Sequence, residues 1–419
     1  MNHPTSLQEI VENGLCLGCG LCQSVAGPER VVMGWVDPPG YLRPRILAPL
    51  DQGTQDAILA TCPGVRLDEP LDPARHGPEA KEDAAFGPWI RAWKGHAADP
   101  EINHMASSGG ALTALGIFLL ESGKVDFICH VSADPEAPMR TVSHVSTTRE
   151  DVLRAAGSRY GPAAPLDRFV EMLDRGRPFA VIGKPCDISG VHNMRQHDPR
   201  VNELVKYTLA FSCGTFAPLD TSRALLERKG FPGGAAGEEN LSLFRYRGYG
   251  CPGPTRAMDK QGNIYDETYQ EFCYGPAGWP HQFRCKLCAD PTGEATDLSV
   301  ADAWEGGGPT EEEWGGENMF ISRTPRGDAL MQEAIAAGVL DVAPDDMATM
   351  YRVQPHQAVK KQGMNARLAA TAESGYPVPD FRNMRLDAAQ AQRDESFYDQ
   401  NFEGTRVRIT RGVNRERLA

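Results

Sequence analysis

The chain has 419 residues, 41% hydrophobic and 24% charged, with a net charge of −13 at pH 7. That length exceeds one ordinary core and predicts two or three globular domains. The acidic balance speaks against a nucleic-acid footprint, and no apolar run approaches the ~18 residues of a membrane helix.

The longest apolar run, ALTALGIFLLESGKV, is broken by Glu121 and reads as a buried helix. MNHPTSLQEIVENG has neither the basic nor the apolar region of a secretion signal, so the expected compartment is the cytoplasm. Eleven cysteines then need a reason, because disulfides are disfavoured in a reducing compartment.

Residues 1–70 read as a turn-rich cysteine module containing LCLGCGLCQ. Cys16, Cys19 and Cys22 can wrap one corner of an iron–sulfur cubane, and Gly18 and Gly20 let backbone N–H groups turn toward sulfur. In bacterial ferredoxins a distant cysteine before proline completes such a run. Cys62–Pro63 fits that position. Zinc usually takes two separated C-x2-C pairs, so the expectation is a 4Fe–4S cluster on Cys16, Cys19, Cys22 and Cys62. No second C-x2-C-x2-C run follows, which excludes an ordinary two-cluster ferredoxin.

Residues 70–88, rich in proline and charge, read as a linker. Strands and helices then alternate from about 89 to 215, and an α/β unit with ligands at the strand carboxyl ends is expected over 85–325. GGALTALGIFLLESG is predicted helical with Gly123 near its C-cap, and VDFICHVS is a strand in which Cys129 packs the core. TREDVLRAAG and PLDRFVEMLDRG are predicted helices; PFAVIGKPCD and VKYTLAFSCG are buried strands, each running to a cysteine.

Ser107, Ser108, Gly109 and Gly110 open the first of these helices and could cradle a phosphate, although the spacing is neither Walker A nor G-x-G-x-x-G. Taken alone, a Ser N-cap with close packing at glycine is the simpler account. Arg159, Tyr160 and Lys184 could contact a nucleotide or be ordinary surface residues.

Between 216 and 310 short strands and turns are expected, with a turn at Gly262–Asn263. Cys285 and Cys288 form a second C-x2-C pair there. Its other half can come from Cys186 and Cys213, just after buried strands, with Cys251 and Cys273 as rivals. Asp290, Glu294, Asp297 and Asp302 read mainly as a solvated loop. Residues 326–419 form a helical or irregular extension, starting with the amphipathic RGDALMQEAIAAGVL and ending in a basic, solvated tail.

In order, the chain carries C-x-G-C-G-x-C, S-S-G-G-x-x-T-A-L, G-S-R-Y, G-K-P-C, F-x-C-G and R-C-x-x-C-x-D-x-x-G-E-x-x-D-x-S-V-x-D-x-W. This series resembles the β-subunit family of deazaflavin-reducing hydrogenases and formate dehydrogenases, which includes reductases of chlorophyll intermediates. The resemblance spans most of residues 10–325. It implies an α/β domain binding FAD, a ferredoxin-like N-terminal module and a cysteine-containing strand and loop insertion. It places the flavin loop on Ser107, Ser108, Gly109, Gly110 and Thr113. Ser158, Arg159, Tyr160, Lys184 and Pro185 fall in the other nucleotide-side motifs, and a second 4Fe–4S cluster falls on Cys186, Cys213, Cys285 and Cys288.

Two departures stand out. Lys184-Pro185-Cys186 replaces a common T-P-C, and Ala301 stands in a segment that commonly reads A-D-I-S-V-G-D. The implied function is an FAD- and 4Fe–4S-dependent oxidoreductase acting on an organic substrate or hydride carrier. Electrons would enter at the N-terminal cluster from ferredoxin or another donor protein. A homo-oligomer or a complex subunit is compatible with this reading. The alternatives are an electron-transfer subunit of a larger hydrogenase- or dehydrogenase-like complex, and a zinc-stabilised interaction protein.

Overall fold

A computed structural model describes residues 2–275, 279–309 and 313–419. Its centre is an eight-stranded mixed sheet: β1 (Arg91–Ala97), β2 (Phe127–Ala133), β3 (Thr141–Ser146), β4 (Phe179–Gly183), β5 (Val205–Phe211), β6 (Leu298–Asp302), β7 (Asn318–Ser322) and β8 (Leu340–Asp345). The spatial order is β8-β1-β7-β6-β5-β4-β2-β3. The inner strands β2, β4, β5 and β6 are parallel, whereas β3 on one side and β7, β1 and β8 on the other run antiparallel to their neighbours. The α/β expectation therefore holds for a sheet that is parallel only in its middle.

The parallel strands carry near-continuous apolar runs because both faces are covered. On one face the helix Ala111–Glu121 packs Leu115, Ile117 and Leu119 against Ile128, Leu209, Leu298 and Phe320. Gly123, at φ +68°, ends its turn in the left-handed region expected after a helix. On the other face the helix Pro185–Met194 brings Ile188 and Val191 against Phe127, Phe179 and Val181, and Cys19 and Leu21 join the same core. The N-terminal segment is thus packed onto the sheet layer.

Short strands at Leu241–Arg245, Thr255–Asp259 and Ile264–Glu267 form a separate antiparallel sheet. Its last turn falls at Gly262, φ +87°, where Asp259 Oδ1 accepts the amides of Gln261 and Asn263.

Three expectations are corrected by packing. The presumed linker is folded: Lys81–Asp83 pairs with Gly87–Trp89, and Phe86 is fully buried against Tyr351. The segment beyond 325 supplies sheet strand β8, and its strand Asp380–Arg382 pairs with Arg66–Asp68. The basic tail is docked rather than solvated as a whole. Asn414 is fully buried and the Ala419 amide donates to Pro44 O at 3.2 Å, while Arg406 and Arg411 stay exposed. Phe86→Ala is expected to cost about 3–5 kcal/mol in urea unfolding, where a solvated linker position would change stability by under ~0.5 kcal/mol.

Candidate functional site

Cys16, Cys19, Cys22 and Cys62 line one small cavity together. The short helix Leu21–Ala26 starts from Gly20, at φ +84°, where a Cβ would meet the Asp167 backbone. Cys62 caps the helix Gln52–Thr61, its amide donating to Ile58 O at 2.9 Å. The backbone turns donors toward sulfur, as the glycines suggested. Gly18 N–H reaches Cys16 Sγ at 3.4 Å, and the amides of Leu21, Gln23 and Gly64 serve Cys19, Cys22 and Cys62. Burial raises all four thiols, Cys62 to about 11, and repulsion from neighbouring cysteines adds to it at Cys19, Cys22 and Cys62. Such thiols stay protonated near neutral pH unless a metal takes the proton's place.

The second group forms at the carboxyl ends of adjacent parallel strands. Cys186 follows β4 in the first turn of Pro185–Met194, with Pro185 opening the helix, and Cys213 follows β5. The Cys213 amide donates to Pro291 O at 2.8 Å, tying this edge to the loop that carries Cys285 and Cys288. Electrostatic repulsion links Cys186 to Cys213 and Cys288, and Cys213 to Cys285 and Cys288. Burial is the leading cause that raises Cys213 to about 12.

The rivals stand beside other side chains, although Cys273 lines the same cavity as Cys213. Cys251 sits near Trp304, Arg247 and Asp302, and Cys273 near Tyr269 and Arg247. Among the described residues, no group of three or more His, Cys, Asp or Glu meets the geometry of a metal-ion site.

A cavity of about 570 Å³ opens at the same strand ends. Ser107, Ser108, Gly110, Thr113, Ser158, Arg159, Tyr160 and Lys184 line it, and so does Cys213. That volume suits a sizeable organic ligand. The first bond within Ala111–Glu121 runs from Ala114 N to Gly110 O, so the Leu112 and Thr113 amides lie in the first turn without intrahelical partners.

The individual residues differ in what they can offer. Ser107 Oγ accepts the Ser158 amide, and Ser108 Oγ donates to Glu317 O at 2.9 Å, so both hydroxyls pin loops. Gly109 packs against Asn318, where a Cβ would stand 2.6 Å from Oδ1. Arg159 donates to the carbonyls of Pro138, Arg140 and Phe244, which commits its guanidinium to the wall. Lys184 Nζ lies 2.8 Å from Asp187 Oδ2; burial opposes its charge, yet Asp187 and Cys186 bring the pKa above its ordinary value.

The acidic loop is a correction. Asp290, Glu294 and Asp297 are buried, not solvated. Asp290 accepts the amides of Thr292, Gly293 and Glu294, and Asp297 accepts the Thr208 amide at 2.8 Å and pairs with Arg326. Asp302 pairs with buried Arg247 at 3.1 Å, and Arg247 also donates to Tyr160 Oη. Lys360 escaped the sequence reading: it lines the cavity and donates to the Cys213 carbonyl at 3.3 Å. Nothing in AVKKQ marks it, because its partner lies 147 residues away.

Residues 92–171 and 176–347 match the N-terminal and C-terminal family models described as coenzyme F420 hydrogenase/dehydrogenase, beta subunit. The two matches cover more than half of the chain, which is a member of that beta-subunit family. It is 27% identical over 305 residues to the coenzyme F420 hydrogenase subunit beta of Methanococcus voltae, covering 70% of this chain and 99% of the relative. It is 24% identical to the coenzyme F420-dependent sulfite reductase of Methanocaldococcus jannaschii, over 77% of this chain and 46% of that protein. A chain of the F420-reducing [NiFe] hydrogenase complex from Methanosarcina barkeri shares the fold, with TM-score 0.52, 20% identity, and coverage of 81% of this chain and 98% of that one. Among the described residues no helix is long and apolar enough to cross a membrane.

Proposed function

We propose that this chain is the beta-type electron-transfer subunit of an iron–sulfur flavoprotein oxidoreductase. Cys16, Cys19, Cys22 and Cys62 would hold one 4Fe–4S cluster, and Cys186, Cys213, Cys285 and Cys288 a second. FAD would occupy the cavity beside Ser107–Gly110, with a substrate or hydride carrier such as a deazaflavin at its open side. One observation carries the reading: Cys213 belongs to the inner quartet and also lines the cavity. When bound, a flavin exchanges a hydride on one side and single electrons on the other, which is what a one-electron cluster relay needs.

Two features of the lining support these groups. N–H donors aimed at sulfur stabilise thiolate charge and tune cluster potential. Lys360 places positive charge between the inner quartet and the cavity, where an anionic cofactor gains from it; Lys184 is already paired with Asp187. The relatives' names favour work inside a larger complex, and a ferredoxin-like donor docking near residues 1–70 is the other source of electrons.

Anaerobic mixing with a reduced deazaflavin tests the coupling. Flavin absorbance should bleach first and iron–sulfur absorbance second, and Cys213→Ser should abolish the second phase while sparing the first. A colourless protein carrying stoichiometric zinc would instead support the interaction-protein reading.

A further inference from the structure

Arg284 lies buried between the two cysteine groups, 2% exposed. Its Nε donates to Gly64 O at 2.9 Å and one terminal nitrogen to Pro63 O at 2.9 Å; the other donates to Leu287 O at 2.6 Å. Pro63 and Gly64 directly follow Cys62, and Leu287 lies between Cys285 and Cys288. One planar fork therefore grips the backbone beside a cysteine of each quartet.

Its charge is the unusual part. A buried guanidinium remains protonated and is costly without an anion. Arg284 has three carbonyls and the Phe381 ring, 5.1 Å away, yet it joins no carboxylate ion pair among the described residues. Arg43, beside Cys16, is by contrast paired with Glu416. Burial lowers the Arg284 pKa, and the interactions that oppose this come from Cys288, Cys186, Cys285 and Cys62. Those four thiols come from both quartets.

We propose that Arg284 is a shared counter-charge for the two quartets when they carry anionic clusters, its fork fixing that charge beside a cysteine of each. This rests on the cluster assignment above. A positive charge near a cluster favours the form with one more electron. A single side chain of this kind raises both reduction potentials, and the two respond together to its loss.

The test is a dithionite redox titration of the full chain, followed by electron paramagnetic resonance, for wild type, Arg284→Lys and Arg284→Gln. Iron and sulfide are counted in each. In Arg284→Gln both reduction equilibria should shift about tenfold toward the oxidised form, about −59 mV for a one-electron couple. Arg284→Lys keeps the charge and should stay near wild type. A fully loaded Gln variant with one or both potentials unmoved overturns the proposal. If the Gln variant does not load, the Lys variant decides: two clusters at wild-type potentials support the counter-charge role, and lost clusters or shifted potentials overturn it. A wild-type chain without clusters defeats the underlying assignment instead, so the two failures are distinct.

Discussion

Cys19→Ser is expected to remove one cluster and spare the other, so that bound iron falls from about eight to about four per chain. Cys19 is buried among Leu21, Phe127 and Leu166, and its carbonyl accepts the Leu166 amide, so the change alters one atom in an otherwise packed shell. Flavin content should not change, because the cavity lies beside the inner quartet and not the outer one. Cys129→Ser is the control. Cys129 is a core residue of β2 outside both cysteine groups, and iron should stay at the wild-type level. Elemental iron with inorganic sulfide reads the result, and full iron in Cys19→Ser would refute the outer assignment.

Glu294→Ala is expected to cost about 3–5 kcal/mol, the penalty of stranding a buried charge. Glu294 and Lys361 are both fully buried and paired, and Arg385 pairs with the second carboxylate oxygen. Burial already lowers the Lys361 pKa against the pull of Glu294, and losing Glu294 lowers it further. The sign of the pH effect follows. Unfolded lysine binds its proton up to about pH 10.4, so the unfolded variant holds more protons than the folded one over the range between the two pKa values. Variant stability should therefore rise with pH across that window more steeply than wild type. Urea unfolding at pH 6 and pH 9 checks this; a loss under ~1 kcal/mol, or parallel pH profiles, would show that the pair does not hold the loop.

What the sequence made legible was local. Cys16, Cys19 and Cys22 share one tight turn, and Cys62–Pro63 has a recognisable neighbour, so the outer group could be read directly. For the inner group the sequence offered Cys186 and Cys213, each ending a buried apolar strand, with Cys251 and Cys273 as rivals; adjacent parallel strands bring the first two ends together. The acids were misread for the opposite reason. Glu294 lies in a polar, glycine-bearing stretch, and its partners Lys361 and Arg385 come 67 and 91 residues later. Proline and charge made 70–88 read as a linker because they outnumber the few residues, His76, Ala85 and Phe86, that anchor it. The tail looked basic, yet its buried residues, Thr405, Ile409 and Asn414, are uncharged. Lys360 and Arg284 act on carbonyls, and a carbonyl leaves no mark in a sequence.

The most direct measurement is a count of iron, acid-labile sulfide, zinc and flavin on the full chain purified without oxygen. Two clusters and one flavin require roughly eight iron and eight sulfide with one FAD per chain. Stoichiometric zinc without sulfide or flavin would contradict both assignments.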